Sequence, residues 1–336
     1  MPAASGRSGV LAAGVFLVDV IKTVRQWPAE ESVALIESVV RSNGGGAYNV
    51  LCNLSRLLPS LPLEAAGTLG EDELGRVILD DCRARSIGTR WLQTDPNVAT
   101  SFADVVAVRE SARRTFFHHP GGNAVFDGQA IDFSATNAAM FYLGYPALLP
   151  RLCEHSASGR PRAVDLLDRA RCAGLVTVVD CVATTKPSDA ALMQSLIPIS
   201  DLFFCNEREA GDILGQKVEP GLGSLRHAAK QLQARNDQTV IVHSVEGAAA
   251  VVGSESILQP AVRIPAEAIV GSNGAGDALV AGYLAAQLSA SKDWTEEDGL
   301  RAGICVAAQS LTSSTPSDGL TSLAECCRLA AQFGFA

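Results

Sequence analysis

Residues 10–20 form an almost unbroken apolar run whose first acid is Asp19. Such a run leaves no polar face for water and predicts a strand covered on both sides. Shorter runs at 140–144, 175–180, 201–206 and 239–244 predict four more. Between them the apolar period changes: Val50, Leu51, Leu54, Leu57 and Leu58 recur at helical spacing, as do Leu279, Gly282, Tyr283 and Ala286. Residues 163–173 read as another helix, and strands alternating with helices predict a parallel sheet with right-handed crossovers. Residues 66–75 are expected to turn from a strand into a helix ending near Gly88, and the Ala-rich stretch 300–310 to be helical, followed by a turn at 314–319 and a last helix. Residues 98–117 differ, reading as two strands, 99–108 and 114–118, around the polar stretch 109–113. No internal repeat, low-complexity tract or long linker interrupts the chain, so residues 1–336 are expected to form one α/β domain.

The densest glycine stretch is Gly271-Ser272-Asn273-Gly274-Ala275-Gly276-Asp277, directly ahead of one of these helical patterns. Glycine gives up the most backbone freedom on folding and is used where φ is positive or another group must approach closely. Here a turn feeds a helix, so the unpaired N–H groups of the first turn converge on one point made attractive to negative charge by the helix dipole. Gly274, Ala275 and Gly276 are therefore an expected anion hole. Asp277 in that turn has two readings: a first-turn acid favoured by the dipole, or a base taking a proton from a hydroxyl that attacks a bound phosphate.

Composition narrows the class. An apolar fraction of 47% with 19% charged residues excludes a disordered chain, and 336 residues can bury a sizeable core. The formal charge of −9 argues against a nucleic-acid or anionic-membrane partner. Nine cysteines, an odd number without a Cys-x-x-Cys pair, give neither a zinc knuckle nor a disulfide framework, and a reducing cytoplasm is the expected compartment. The apolar run behind Arg7 is short and lacks a cleavage site. No apolar stretch reaches the roughly 18–20 residues needed to span a membrane.

The Gly274-Ala275-Gly276-Asp277 run resembles the signature of the PfkB (ribokinase-like) family of sugar and nucleoside kinases. The resemblance implies that Asp277 is the catalytic base and that the amides around it form the anion hole. It extends from Gly14 to about Gly319 with the motifs in the family's order. A Gly followed five residues later by Asp opens these kinases, which makes Asp19 a ligand of substrate hydroxyls; by spacing alone it could equally be a solvated acid at a strand end. Gly44, Gly45 and Asn49 fit the family's Gly-Gly, three residues, Asn signature, in which glycine backbone lets a sugar approach and the Asn amide binds hydroxyls; the other reading is an anchored turn and helix cap. Asn206 and Glu209 match the family's Asn-x-x-Glu, which acts on Mg²⁺ largely through its waters, although the same spacing describes a capping box. The fold implied is a ribokinase-like central, mostly parallel sheet with helices on both faces and a small β lid, inserted from about 20–40 and 98–120. Arg114 in the lid segment joins the expected substrate-binding residues, with a surface charge as the alternative, and the helix at 300–310 is expected to line the adenine side.

Several positions depart from the family pattern. Asp180-Cys181-Val182 replaces Asp-x-Asn, so the family's contact to substrate or phosphate at this point does not carry over directly. Val242-His243-Ser244 stands where Thr-Leu-Gly is usual, so Ser244 and Gly247 are expected to bind nucleotide in altered form. Gly271-Ser272 replaces an Asp-Thr pair whose Asp often ligates potassium, which argues against activation by a monovalent cation. Asn273, placed with the nucleotide-binding residues, resembles the adenosine-kinase version. The implied activity is ATP- and Mg²⁺-dependent phosphorylation of a small sugar of the ribose, fructose or sugar-acid type, with a nucleoside as alternative acceptor. Many members dimerise through the lid, so a homodimer is among the partners the resemblance allows. Two rivals stand beside it: a catalytically silent sugar- or nucleotide-sensing homologue, and a dinucleotide-binding oxidoreductase, which lacks Gly-x-Gly-x-x-Gly after the first strand.

Overall fold

The computed structural model describes residues 6–111, 113–182, 187–289 and 294–336. Its strands are β1 (Val10–Gly14), β2 (Leu17–Val24), β3 (Ile36–Gly44), β4 (Leu63–Gly70), β5 (Ile87–Asp95), β6 (Phe102–Val108), β7 (Arg114–His119), β8 (Met140–Gly144), β9 (Val176–Asp180), β10 (Leu202–Asn206), β11 (Thr239–Ser244), β12 (Gly247–Val252) and β13 (Glu255–Pro260). Nine form one sheet in the order β13-β12-β11-β10-β9-β8-β1-β4-β5, and β3-β2-β6-β7 form a second. From β11 to β5 every neighbouring pair is parallel, and only the β11-β12-β13 meander is antiparallel. Parallel strands need crossovers, and helices supply them on both faces.

Alternation along β1 shows the two layers. Val10 and Ala12 pack with the helices Gly46–Leu57, Ala275–Ser289 and Glu296–Ser310, whereas Leu11 and Ala13 pack with Arg162–Cys172 and Leu222–Leu232. Every β1 residue is buried, which explains the continuous apolar run. Among the described residues no helix is long and apolar enough to cross a membrane.

The expectation of one strand over residues 10–20 is corrected. The chain leaves the large sheet at Gly14, where φ is 140° and a β-carbon would lie 2.3 Å from the Gly144 carbonyl oxygen. Val15 and Phe16 stay buried through the turn, and the carboxamide of Asn123 pairs with the Phe16 backbone at 3.2 and 3.1 Å. The chain then re-enters as β2 of the small sheet, so Asp19 pairs in register with Ser42 and Ala103 and does not lie at the carboxyl end of a large-sheet strand. Burial on both sides of the turn hides it from any hydrophobic pattern. A second correction concerns Gly88: the helix Glu73–Ala84 stops earlier and Gly88 lies inside β5.

Candidate active site

The helix Ala275–Ser289 starts immediately after Gly274, whose φ is 77° and whose β-carbon would fall 2.6 Å from that of Pro316. Glycine is required there both for its dihedral angle and for the approach of the Pro316 turn. The amides of Gly276 and Asp277 meet no acceptor among the described residues, as expected at a helix start. Gly276 lines a cleft of about 970 Å³ whose walls are largely apolar, Val262, Ile264, Leu279, Ile304 and Ala308 among them, together with Asn206. Two of those wall residues, Ile304 and Ala308, come from the helix Glu296–Ser310.

Ala275 and Gly276 line this cleft, while the Asp277 side chain is held in a buried polar cluster and is only 1% exposed. Asn49 Nδ2 donates to Asp277 Oδ2 at 2.7 Å, and the Tyr145 hydroxyl donates to Oδ1 at 2.8 Å. Burial pushes the Asp277 carboxyl up to about 7; the hydrogen bonds from Asn49 and Tyr145 work against that rise, and the Asp19 charge adds to it. A carboxyl poised near neutrality can exchange a proton with a hydroxyl at working pH.

Asn49 lies on the first turn of Gly46–Leu57 and is fixed from behind by Asn43, which donates to its Oδ1 at 2.8 Å. Gly44 and Gly45 make this approach of β3 to β2 feasible. A β-carbon on Gly44 would come within 2.8 Å of Asp19 Oδ2, and Gly45, with φ of 90°, would place one 2.4 Å from the Val15 carbonyl oxygen. Asp19 therefore sits against bare backbone, accepting from Asn273 Nδ2 at 3.4 Å. Burial raises its pKa to about 6, opposed by the Asn273 hydrogen bond and the positive charge of Arg114. Arg114 reaches over Gly271, where a β-carbon would be 3.1 Å from Nη2, and its buried Nη1 has no hydrogen-bond partner among the described residues.

The remaining expected residues are placed as follows. Asn206 and Glu209 form a capping box: Asn206 Oδ1 accepts from the Glu209 amide at 2.9 Å, and Glu209 Oε2 accepts from the Asn206 amide at 2.9 Å. Asn273 is beside Asp19, to which its Nδ2 donates. Ser244 lines the apolar cleft but its hydroxyl donates to the Pro220 carbonyl at 2.6 Å. Gly247 is pressed against β13, a β-carbon there falling 2.3 Å from the Gln259 carbonyl oxygen.

Three further groups in the site were not among the expected residues. Tyr145 directly follows β8. Asp180 ends β9, accepts from the Tyr142 hydroxyl at 2.8 Å and is driven well above the usual carboxylate range by burial and by the charges of Asp277 and Glu209. Its position was legible as the Asp of the altered Asp-x-Asn segment, but the effect of the Asp277 charge on it was not. His243 ends up facing the helix start, its Cε1 3.5 Å from where a β-carbon of Gly276 would be, and burial lowers its pKa to about 4.

The sequence model described as pfkB family carbohydrate kinase matches residues 8–330. The chain belongs to this family. Within the pfkB family, it is 27% identical over 146 residues to probable fructokinase-7 of Arabidopsis thaliana and 26% identical over 152 residues to fructokinase-1 of Zea mays. Those matches cover 43% and 45% of this chain and 41% and 45% of the relatives, so they span less than half of either protein. The fold is shared far more widely. Arabidopsis thaliana ribokinase, solved with ribose and ATP, superposes with a TM-score of 0.77 at 19% identity, covering 98% of this chain and 100% of that one. The nucleoside kinase of Methanocaldococcus jannaschii gives 0.73 at 16% identity, with 98% and 100% covered.

Proposed function

We propose that this pfkB family member transfers the γ-phosphoryl group of ATP to a hydroxyl of a small sugar. The observation that carries the reading is Asp277, a buried carboxyl at the start of a helix whose preceding residues open onto the apolar cleft and whose own side chain faces Asn49 and, beyond it, Asp19. The cleft is of the size and character that accepts a nucleotide base and ribose. The Asp19, Asn49 and Arg114 side offers a carboxylate, a carboxamide and an unpaired guanidinium N–H, which suits a polyhydroxylated acceptor and leaves room for an acidic one.

In this mechanism the acceptor is oriented by Asp19 and Asn49, and Asp277 takes the proton of the attacking hydroxyl. The amides of Gly276 and Asp277 meet the charge on the transferred group, each such donor contributing about 2.7–4 kcal/mol where oxyanion holes have been dissected, whereas the Ala275 amide already donates to the Ser272 carbonyl at 3.5 Å. Among the described residues no cluster of three or more His, Cys, Asp or Glu side chains is arranged to hold a metal. Mg²⁺ in phosphoryl-transfer sites keeps several waters and takes one or two protein oxygens beside phosphate. Asn206, on the cleft wall, and Glu209 are the residues that would hold its waters, and the ion would neutralise phosphate charge.

The small sheet would act as a lid excluding water from the transfer. Its exposed apolar residues support a homodimer: Phe116 and Phe117 are 52% and 54% exposed, and Trp27 stacks on Phe117. Sedimentation velocity should then show a dimer that dissociates in Phe117→Asp; a monomeric parent would remove that part. Nine free thiols suit a reducing, cytoplasmic setting.

The test is ADP release with Mg-ATP against pentoses, hexoses, sugar acids and nucleosides, with Asp277→Asn as control. Turnover on a sugar that collapses in the variant is expected. Preference for a nucleoside would overturn the acceptor class, and binding of sugar and ATP without turnover would make the chain a silent sensor.

A further inference from the structure

Next to Gly44, Gly45 and Asn49 stand two residues outside the proposed mechanism, the glycine Gly46 and, across from it, Tyr145. The structure joins the two. Tyr145 is in the left-handed region, with φ 58° and ψ 48°, a conformation uncommon for a bulky residue and a recurrent mark of functional sites. The turn is pinned on both sides: the Tyr145 amide donates to the Asp180 carbonyl at 3.0 Å, and its own carbonyl accepts from Leu148 at 2.9 Å. Its ring lies along the backbone of Gly46, where a β-carbon would be 3.0 Å from both Cδ1 and Cε1. That gap is what lets the hydroxyl reach Asp277 Oδ1 at 2.8 Å. Asn49, one turn along the same helix, holds the other oxygen at 2.7 Å. Each carboxylate oxygen has two lone pairs, so both remain able to accept from a substrate hydroxyl.

We infer that Tyr145 is a positioning residue for phosphoryl transfer: with Asn49 it fixes the plane of the Asp277 carboxylate and favours its ionised form, and Gly46 is glycine in order to seat the Tyr145 ring. The inference rests on Asp277 acting as the base. The groups that face this carboxyl are Asp19 from β2, Asp180 from β9 and Tyr142 from β8; Glu209 acts on Asp180 and Tyr145, and Arg114 acts on Asp19. None of these is altered when the Tyr145 hydroxyl alone is removed.

Tyr145→Phe keeps the ring and deletes that donor. A hydrogen bond to the ionised form lowers a carboxyl pKa, so its loss should move the acidic limb of the kcat profile upward by about one pH unit. At pH 7, kcat should fall about five- to tenfold, with the acceptor KM within about twofold. Gly46→Ala, which pushes the ring away, should shift the limb in the same direction. A ¹³C carboxyl titration of Asp277, assigned against Asp277→Asn, reads the same shift without turnover. An unmoved titration midpoint in Tyr145→Phe would overturn the inference. An inactive parent protein would count against the kinase reading instead, leaving the titration to decide the role of Tyr145.

Discussion

Asp277→Asn should stabilise the ligand-free fold at neutral pH even as it abolishes phosphoryl transfer. The wild-type carboxyl rises from 3.8 in a solvated chain to about 7 when buried. The folded state therefore binds the proton more tightly than the unfolded state. Stability from this group is complete below pH 4 and is lost as pH climbs through 7, because the native protein must either keep the proton or bury the charge. At about 1.4 kcal/mol per pH unit, that loss is roughly 4 kcal/mol by pH 8. Asparagine does not titrate and fits the same partners: its oxygen can accept from Asn49, and its NH₂ can donate to the Tyr145 hydroxyl oxygen. That figure already contains the Asp19 repulsion, and any imperfect fit of the amide subtracts from it, so a gain of about 2–4 kcal/mol at pH 8 is expected. Urea unfolding of both proteins at pH 4.5 and pH 8 measures it. The difference should be small at the acidic end and open towards the alkaline end. A difference that is independent of pH, or a variant less stable at pH 8, would refute the claim that Asp277 is a strained, buried acid.

Gly45→Ala forces a side chain onto a residue with φ of 90° and against the Val15 carbonyl; it should cost about 1–3 kcal/mol in urea unfolding and raise the acceptor KM, and an unchanged midpoint would show that β2 and β3 can separate freely. Asn206→Ala removes an N-cap, for which about 1 kcal/mol of stability is expected, and if Asn206 also serves the Mg²⁺ waters the concentration of Mg²⁺ giving half-maximal rate should rise severalfold. A stability loss with no change in Mg²⁺ dependence would leave Asn206 as a cap only.

The strands β8 and β11 were legible to the residue because each is an apolar run closed by polar or glycine positions. The division of residues 10–20 was not, since Val15 and Phe16 are as buried as the strands they link. Strand β3 was equally hard to see: Ile36, Val39 and Val40 are exposed, so its residues carry no alternation between a core face and a solvent face. At the site, Asp19, Asn49 and Asp277 could be singled out because each belongs to a local motif. The Tyr145 contact spans 132 positions and depends on a left-handed turn at a residue whose side chain gives no hint of one. His243 and Asp180 are similar cases, where the residue type was visible but its neighbours across the sheet were not.

The central claim is that Asp277 serves transfer of a phosphoryl group from ATP to a sugar. It is tested most directly by ³¹P NMR of the purified protein with Mg-ATP and each sugar in turn. A phosphomonoester signal is expected that grows one-for-one with ADP for at least one sugar and is absent with Asp277→Asn. ADP without any phosphomonoester, or the same product formed at the same rate by Asp277→Asn, would contradict it.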